Sequence, residues 1–159
     1  MIFNQFFDTV SSTFTYLISS GKGREALIID PVLENTNNYI LFLKKLDLKL
    51  VKVIDTHIHA DHVSGLKQLH QQTSCAVLMG EKSPSEVVTL KVKDNEKIKI
   101  ENIALTSMYT PGHTDCSYSF LMKDRIFTGD TLLINGTGRT DFQNGNPIDQ
   151  YHSLFDRIL

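Results

Sequence analysis

The sequence predicts a single α/β domain with mixed sheets. Short β-branched and aromatic runs alternate with stretches of helical apolar spacing, several of the runs pair into hairpins, and no apolar run approaches membrane-spanning length. The 159 residues suffice for one proper core, and 41% hydrophobic with 21% charged residues is the balance of a globular domain. A net charge of −2 gives no reason to expect nucleic acid or an anionic membrane as partner. Met1–Thr15 shows no basic region followed by an apolar stretch and a cleavage site. Cys75 and Cys116 do not make a disulfide framework, so the cytoplasm is the expected compartment.

Ser12–Ser19 and Ala26–Asp30 read as hairpin strands joined by Ser20-Gly21-Lys22-Gly23, with Pro31 ending the second. Thr36–Leu48 places Tyr39, Phe42, Leu43 and Leu46 at helical spacing. Val51–Asp55 is the next strand, and a helix carrying Val63, Leu66 and Leu69 follows it. Cys75–Met79 is a buried strand; Lys97–Ile100 with Ile103–Met108, and Tyr118–Met122 with Arg125–Thr128, are hairpins. Asn146 caps a final helix that Pro147 and Asp149 open, with Tyr151, Leu154, Phe155 and Ile158 as its apolar stripe.

The chemistry concentrates at the end of the Val51–Asp55 strand, where Thr56-His57-Ile58-His59-Ala60-Asp61-His62 holds three of the six histidines beside an acid. On extended chain, residues two apart point the same way, so His57 and His59 can approach one ion. His113 sits in Thr110-Pro111-Gly112-His113-Thr114, a turn that proline and glycine can aim rigidly. Asp130 follows Gly129 at another strand end, where a carboxylate suits a hard or borderline cation. Each signal is weak alone; together they predict a metal-dependent enzyme.

This combination resembles the metallo-β-lactamase superfamily, whose signature is His-x-His-x-Asp-His, a distant histidine and a later aspartate. Within it, Asp30–Glu34, Thr56–Gly65, Thr110–Thr114, Phe127–Ile134, Gly138–Gly145 and Tyr151–Ser153 are similar to the persulfide dioxygenases, the Gly138–Gly145 segment being the more specific marker. The resemblance implies an αββα sandwich. It also implies oxidation of glutathione persulfide by O2 to sulfite and glutathione at one Fe(II) held by His57, His113 and Asp130. His59, Asp61 and His62 would then lie outside the iron's ligand set, or hold a second metal. Arg139 is expected to meet a glutathione carboxylate, with an ion pair to Asp141 as its alternative. Tyr151 is expected in the same pocket or in the core. Cys75 reads as core, and His70 and His152 as surface.

The family's members continue beyond the position of Leu159 with a strand, a loop carrying another histidine, and a closing helix. The expectation for residues 1–159 is thus a single domain lacking the C-terminal part of the sandwich, with an edge or apolar patch open to pairing in a homodimer. Two other functions compete. One is a dizinc hydroxyacylglutathione hydrolase of glyoxalase II type. The other is an inactive shortened fold acting as a binding module.

Overall fold

The computed structural model describes residues 1–159. Ten strands form two sheets. The first runs in the order β1 (Ile2–Asp8), β2 (Thr13–Ser19), β3 (Glu25–Ile29), β4 (Lys49–Ile54), β5 (Ala76–Gly80), β6 (Leu90–Val92). Its first three strands are antiparallel, and β3 through β6 are parallel. The second is wholly antiparallel, in the order β10 (Ile126–Phe127), β9 (Tyr118–Leu121), β8 (Ile103–Tyr109), β7 (Lys97–Ile100). The three helices are α1 (Thr36–Lys45), α2 (Leu66–Thr73) and α3 (Pro147–His152), and no helix is long and apolar enough to cross a membrane.

The strand period of two decides the layers. Leu27 and Ile29 on β3, with Ile18 and Ile54, face the second sheet and meet Ile98, Leu105, Phe120 and Phe127 there. The alternate residues Leu17, Ala26, Ile28 and Val53 face outward under Tyr39 and Leu43 of α1 and Leu66 and Leu69 of α2. Both faces of the central strands are covered, which is why Ala26–Ile29 is apolar without alternation. Each fully buried Leu, Ile or Phe here contributes about 1.5–3 kcal/mol. The mixed α/β class and the helix–sheet–sheet packing are those expected.

Four details differ from the sequence reading. β1 and β6 were not anticipated. In β1, apolar and polar residues alternate only loosely, and its inward residues are half-buried because it is an edge strand. The α1 helix ends at Lys45 because Asp47 turns into the left-handed region (φ 56°) to start β4. The α2 helix begins at Leu66, and Val63 is exposed in the preceding loop. Finally, Tyr151 and Phe155 are exposed although Leu154 is buried. Asn146 caps α3 as expected, accepting from the amides of Ile148 (2.8 Å) and Asp149 (3.3 Å). Beyond His152, however, the helix widens into a π-helical turn, Ser153–Ile158, so helical spacing of 3.6 no longer aligns its apolar residues.

Candidate metal centre

Four strand ends meet at one rim of the sandwich. Asp30 follows β3, the run Asp55–His62 follows β4, Thr110–Thr114 follows β8, and Gly129–Thr131 follows β10. The two sheets are tied there by the Tyr118 amide, which donates to the Thr56 carbonyl at 2.9 Å. Thr131 Oγ1 donates to the Thr110 carbonyl (3.2 Å), joining the His113 loop to the Asp130 turn. From α3, Gln150 Nε2 donates to the Thr131 carbonyl (2.5 Å), and from the π-helical turn after it Ser153 Oγ donates to the Pro111 carbonyl (2.6 Å).

His57, His113 and Asp130 come together, one from each of three distant segments, with a ligand atom from each lying within 4.8 Å of the others. Donors sharing one ion at about 2.1 Å stand about 3–4 Å apart, so small side-chain rotations suffice to close the set. His113 Nδ1 lies 2.7 Å from the Arg139 carbonyl, which can only accept, so Nδ1 carries a proton and Nε2 is the nitrogen turned to Asp130 Oδ2, 3.4 Å away. His57 is 2% exposed. Burial, followed by the neighbouring charge of His59, pushes its imidazolium well below the ordinary range, so the ring favours its neutral form. Burial raises the Asp130 carboxyl against the pull of His113 and His59. A half-buried carboxylate beside two imidazoles fits a divalent metal.

Gly138 makes this approach feasible. A β-carbon there would lie 2.5 Å from the Asp130 carbonyl oxygen and 2.7 Å from His113 Nδ1. The Gly138 amide itself donates to the Asp130 carbonyl at 2.7 Å. The Gly138–Gly145 loop thus lies against two of the three side chains, and Gln143 Nε2 reaches the third segment by donating to the Ile58 carbonyl (3.1 Å).

His59, Asp61 and His62 form a second group beside the first. The hairpin between β1 and β2 grips it: Thr13 Oγ1 donates to Asp61 Oδ2 (3.0 Å) and lies 3.2 Å from His62 Nδ1, itself 3.1 Å from Asp61. Partial desolvation of the exposed Asp61 opposes ionisation, but the hydrogen bond and charge of His62 and the charge of His59 hold it far below the usual carboxylate range. His59 Nε2 points to Asp30 (3.2 Å), and Asp55 completes a third, buried group with them. Burial opposes protonation of His59, yet Asp30, Asp55 and Asp61 together carry it up to about 9. Burial pushes Asp55 to about 7. Two buried polar atoms here lack partners, His62 Nε2 and Asp55 Oδ1.

Arg139 and Tyr151 line one shallow cleft of about 490 Å³ with Gly138, Pro147, Leu154 and Phe155. The Arg139 guanidinium is paired to Asp141 by two bonds of 2.7 and 2.9 Å at the surface. Tyr151 is 57% exposed, so its place is the cleft wall and not the core. A larger cavity of about 730 Å³ opens on the other side, between Phe14, Tyr16 and Leu132–Ile134, with His59, Asp61 and Asp130 in its wall. His152 is exposed as expected, whereas His70 is half-buried and bonds the Cys75 carbonyl (2.7 Å). Both cysteines are free and buried.

Sequence reading missed the supports: Thr13, Thr56, Gln143 and Gln150, each more than ten residues from some group it contacts or bonding only through its side chain. Asp30 left one signal, an acid directly after the buried apolar run Ala26–Ile29.

A sequence profile described as the metallo-beta-lactamase superfamily matches residues 8–86 and 79–158. The human protein named persulfide dioxygenase ETHE1, mitochondrial, is 38% identical over all of this chain and 63% of its own length. A hydroxyacylglutathione hydrolase of Dictyostelium discoideum is 31% identical over 91% of this chain and 56% of its own. Among solved structures, ETHE1 from Myxococcus xanthus superposes with a TM-score of 0.95 at 43% identity, covering 100% of this chain and 70% of that one. The chain spans less than two thirds of the length of these curated relatives.

Proposed function

The chain belongs to the metallo-β-lactamase superfamily, and from that premise we propose that it oxidises glutathione persulfide with O2 at a single Fe(II). The observation that carries this reading is the convergence of His57, His113 and Asp130, two imidazoles and one carboxylate from three segments. That donor set would hold a divalent iron while leaving it room for a sulfur ligand and O2. The greater similarity to persulfide dioxygenases, 37–43% identical against 31% for the hydrolase, supports it.

Fe(II) in this site would supply the one-electron reactivity toward O2 that Zn(II) lacks. In the overall reaction the persulfide's outer sulfur loses four electrons to O2; with one water, the products are glutathione, sulfite and two protons. The protein's own part is positional. His113, locked through the Arg139 carbonyl, and His57 would each offer an imidazole nitrogen, and Asp130 would supply the compensating charge. Arg139 and Tyr151 are proposed to receive glutathione in the adjacent cleft, Arg139 exchanging Asp141 for a substrate carboxylate in the same two-pronged geometry. Because Arg139 also holds His113 through its carbonyl, substrate capture and metal geometry share one residue. A homodimer is included in the proposal, for which the free edge of β1 and the exposed Leu133 and Ile134 offer contact surface. The cytoplasm is the proposed location, consistent with two free thiols.

The unpartnered Nε2 of His62 favours one competitor, a dizinc hydroxyacylglutathione hydrolase in which Asp61 and His62 hold a second ion with Asp130. An oxygen-electrode assay with glutathione persulfide, run with metal analysis on the same sample, separates the two. The dioxygenase reading expects about one iron per chain and O2 uptake. Two zinc ions with thioester cleavage and no O2 uptake would replace it.

A further inference from the structure

Asp30 is 4% exposed, yet its carboxylate is fully engaged. It accepts from the Thr56 amide (2.7 Å), from Thr56 Oγ1 (3.0 Å) and from His59 Nε2 (3.2 Å). Its own backbone is fixed on both sides, the amide donating to the Ile54 carbonyl (2.8 Å) and the carbonyl accepting from Thr15 Oγ1 (2.6 Å). Thr56 Oγ1 has a second neighbour, His57 Nδ1 at 2.9 Å.

A hydroxyl carries one proton. Thr56 gives that proton to the Asp30 carboxylate, so toward His57 its oxygen can only accept. His57 must therefore donate from Nδ1, which leaves Nε2 without a proton. We propose that Thr56 is a positioning residue that transmits the anchorage of Asp30 to His57 and holds this imidazole in the one tautomer able to ligate a metal through Nε2. The proposal rests on the reading that His57, His113 and Asp130 share a metal. It gives the two histidine ligands parallel supports: His113 is locked by a backbone carbonyl, His57 by a hydroxyl backed by a buried carboxylate. The same hydroxyl lies against the turn of the third ligand, since a β-carbon at Gly129 (φ +48°) would run into Thr56 Oγ1. Asp30 also anchors His59 directly, so one carboxylate orders two of the three histidines of the run.

Removing the hydroxyl leaves the buried Nδ1–H without an acceptor, and the imidazole gains by moving its proton to Nε2, where the metal binds. The test is Co(II) and Zn(II) affinity of the full chain by chelator competition, for the unsubstituted protein, Thr56→Val and Thr56→Ser. Supporting ligands of this kind typically affect affinity about 10–100-fold, so Thr56→Val is expected to weaken both ions in that range, with Thr56→Ser within about threefold of the original. The metal-free Thr56→Val chain is expected to melt a few degrees below Thr56→Ser, the cost of a lost buried hydrogen bond, so affinities are compared where both are fully folded. Thr56→Val binding as tightly as the original, or Thr56→Ser binding as poorly as Thr56→Val, would overturn the proposal. Should Thr56→Val not fold, 1H–15N spectra of the histidine rings in the unsubstituted metal-free chain decide: Nδ1–H at His57 supports it, and Nε2–H overturns it. None of these measurements involves persulfide. A chain that passes them and consumes no O2 loses the dioxygenase reading alone, whereas a chain that binds neither ion loses both.

Discussion

Two groups of histidine and aspartate lie side by side on the rim, and they differ in what their nitrogens are already doing. In the first, His57, His113 and Asp130 arrive from three segments, and His113 is tied through Nδ1 so that Nε2 faces Asp130. In the second, His59, Asp61 and His62 come from one short run and bond to one another, to Thr13 and to Asp30. Closeness in sequence produced a network bonded mostly within itself, with His62 Nε2 left over; closeness across the fold brought three donors within 4.8 Å of one another. A His-rich run therefore marks the place of a metal centre without specifying which of its members hold the ion.

The largest effect separating the groups is expected at Asp130→Asn. A neutral amide cannot supply the compensating charge, so metal content should fall by more than the roughly 10–100-fold change in affinity typical of supporting residues, and activity with it. Equilibrium dialysis with Fe(II) under nitrogen measures this, and retention of full iron would place the metal elsewhere. Gly138→Ala comes next. Its backbone needs no positive φ, so the cost is the collision with Asp130 and His113; metal affinity should drop about 10-fold or more while the metal-free chain melts within a few degrees of the original. Unchanged affinity would mean that the loop yields and does not support the ligands.

Arg139→Ala should raise KM for glutathione persulfide about 10-fold, the lower end for a lost charge-assisted pair, with iron content unchanged. Loss of iron instead would give Arg139 a structural role. The smallest effect concerns the second group without metal. His59 has its folded pKa raised from 6.5 to about 9, so its stabilising charge is fully present below pH 6.5 and is lost as pH rises through 9. The metal-free chain should lose stability between pH 7 and 9 with a slope of at most about 1.4 kcal/mol per pH unit, one proton's worth, and His59→Gln should flatten it. Asp55, raised to about 7, exerts its effect between pH 3.8 and 7, below that window. Denaturant melts across the range test this; a slope unchanged in His59→Gln would contradict it.

Much of the architecture was legible in the sequence because hydrophobic period is a local signal. Leu17, Leu27, Ile28 and Val53 fall on buried strands as their pattern requires, and Asn146–Pro147 opens α3 as capping chemistry requires. β1 escaped because an edge strand buries only half of one face, leaving Ile2, Asn4 and Phe6 without strong contrast. In α3 the stripe misled because the π-helical turn shifts the angle at which Phe155 leaves the axis. At the site, residue types and spacing brought out the histidines and Asp130. They could not bring out the tautomers, because these depend on the Arg139 carbonyl and the Thr56 hydroxyl, groups that any sequence contains. Nor could they show that Gly138 is small for the sake of His113, 25 residues before it in the chain, a contact that exists only once both loops fold.

X-ray absorption at the metal edge of the iron-loaded chain tests the central claim most directly. The account predicts two imidazoles and a carboxylate oxygen in the first shell, at about 2.0–2.2 Å, and no second metal. A third imidazole, or a metal scatterer at about 3.5–4 Å, would bring the His59–Asp61–His62 group into the centre and contradict it.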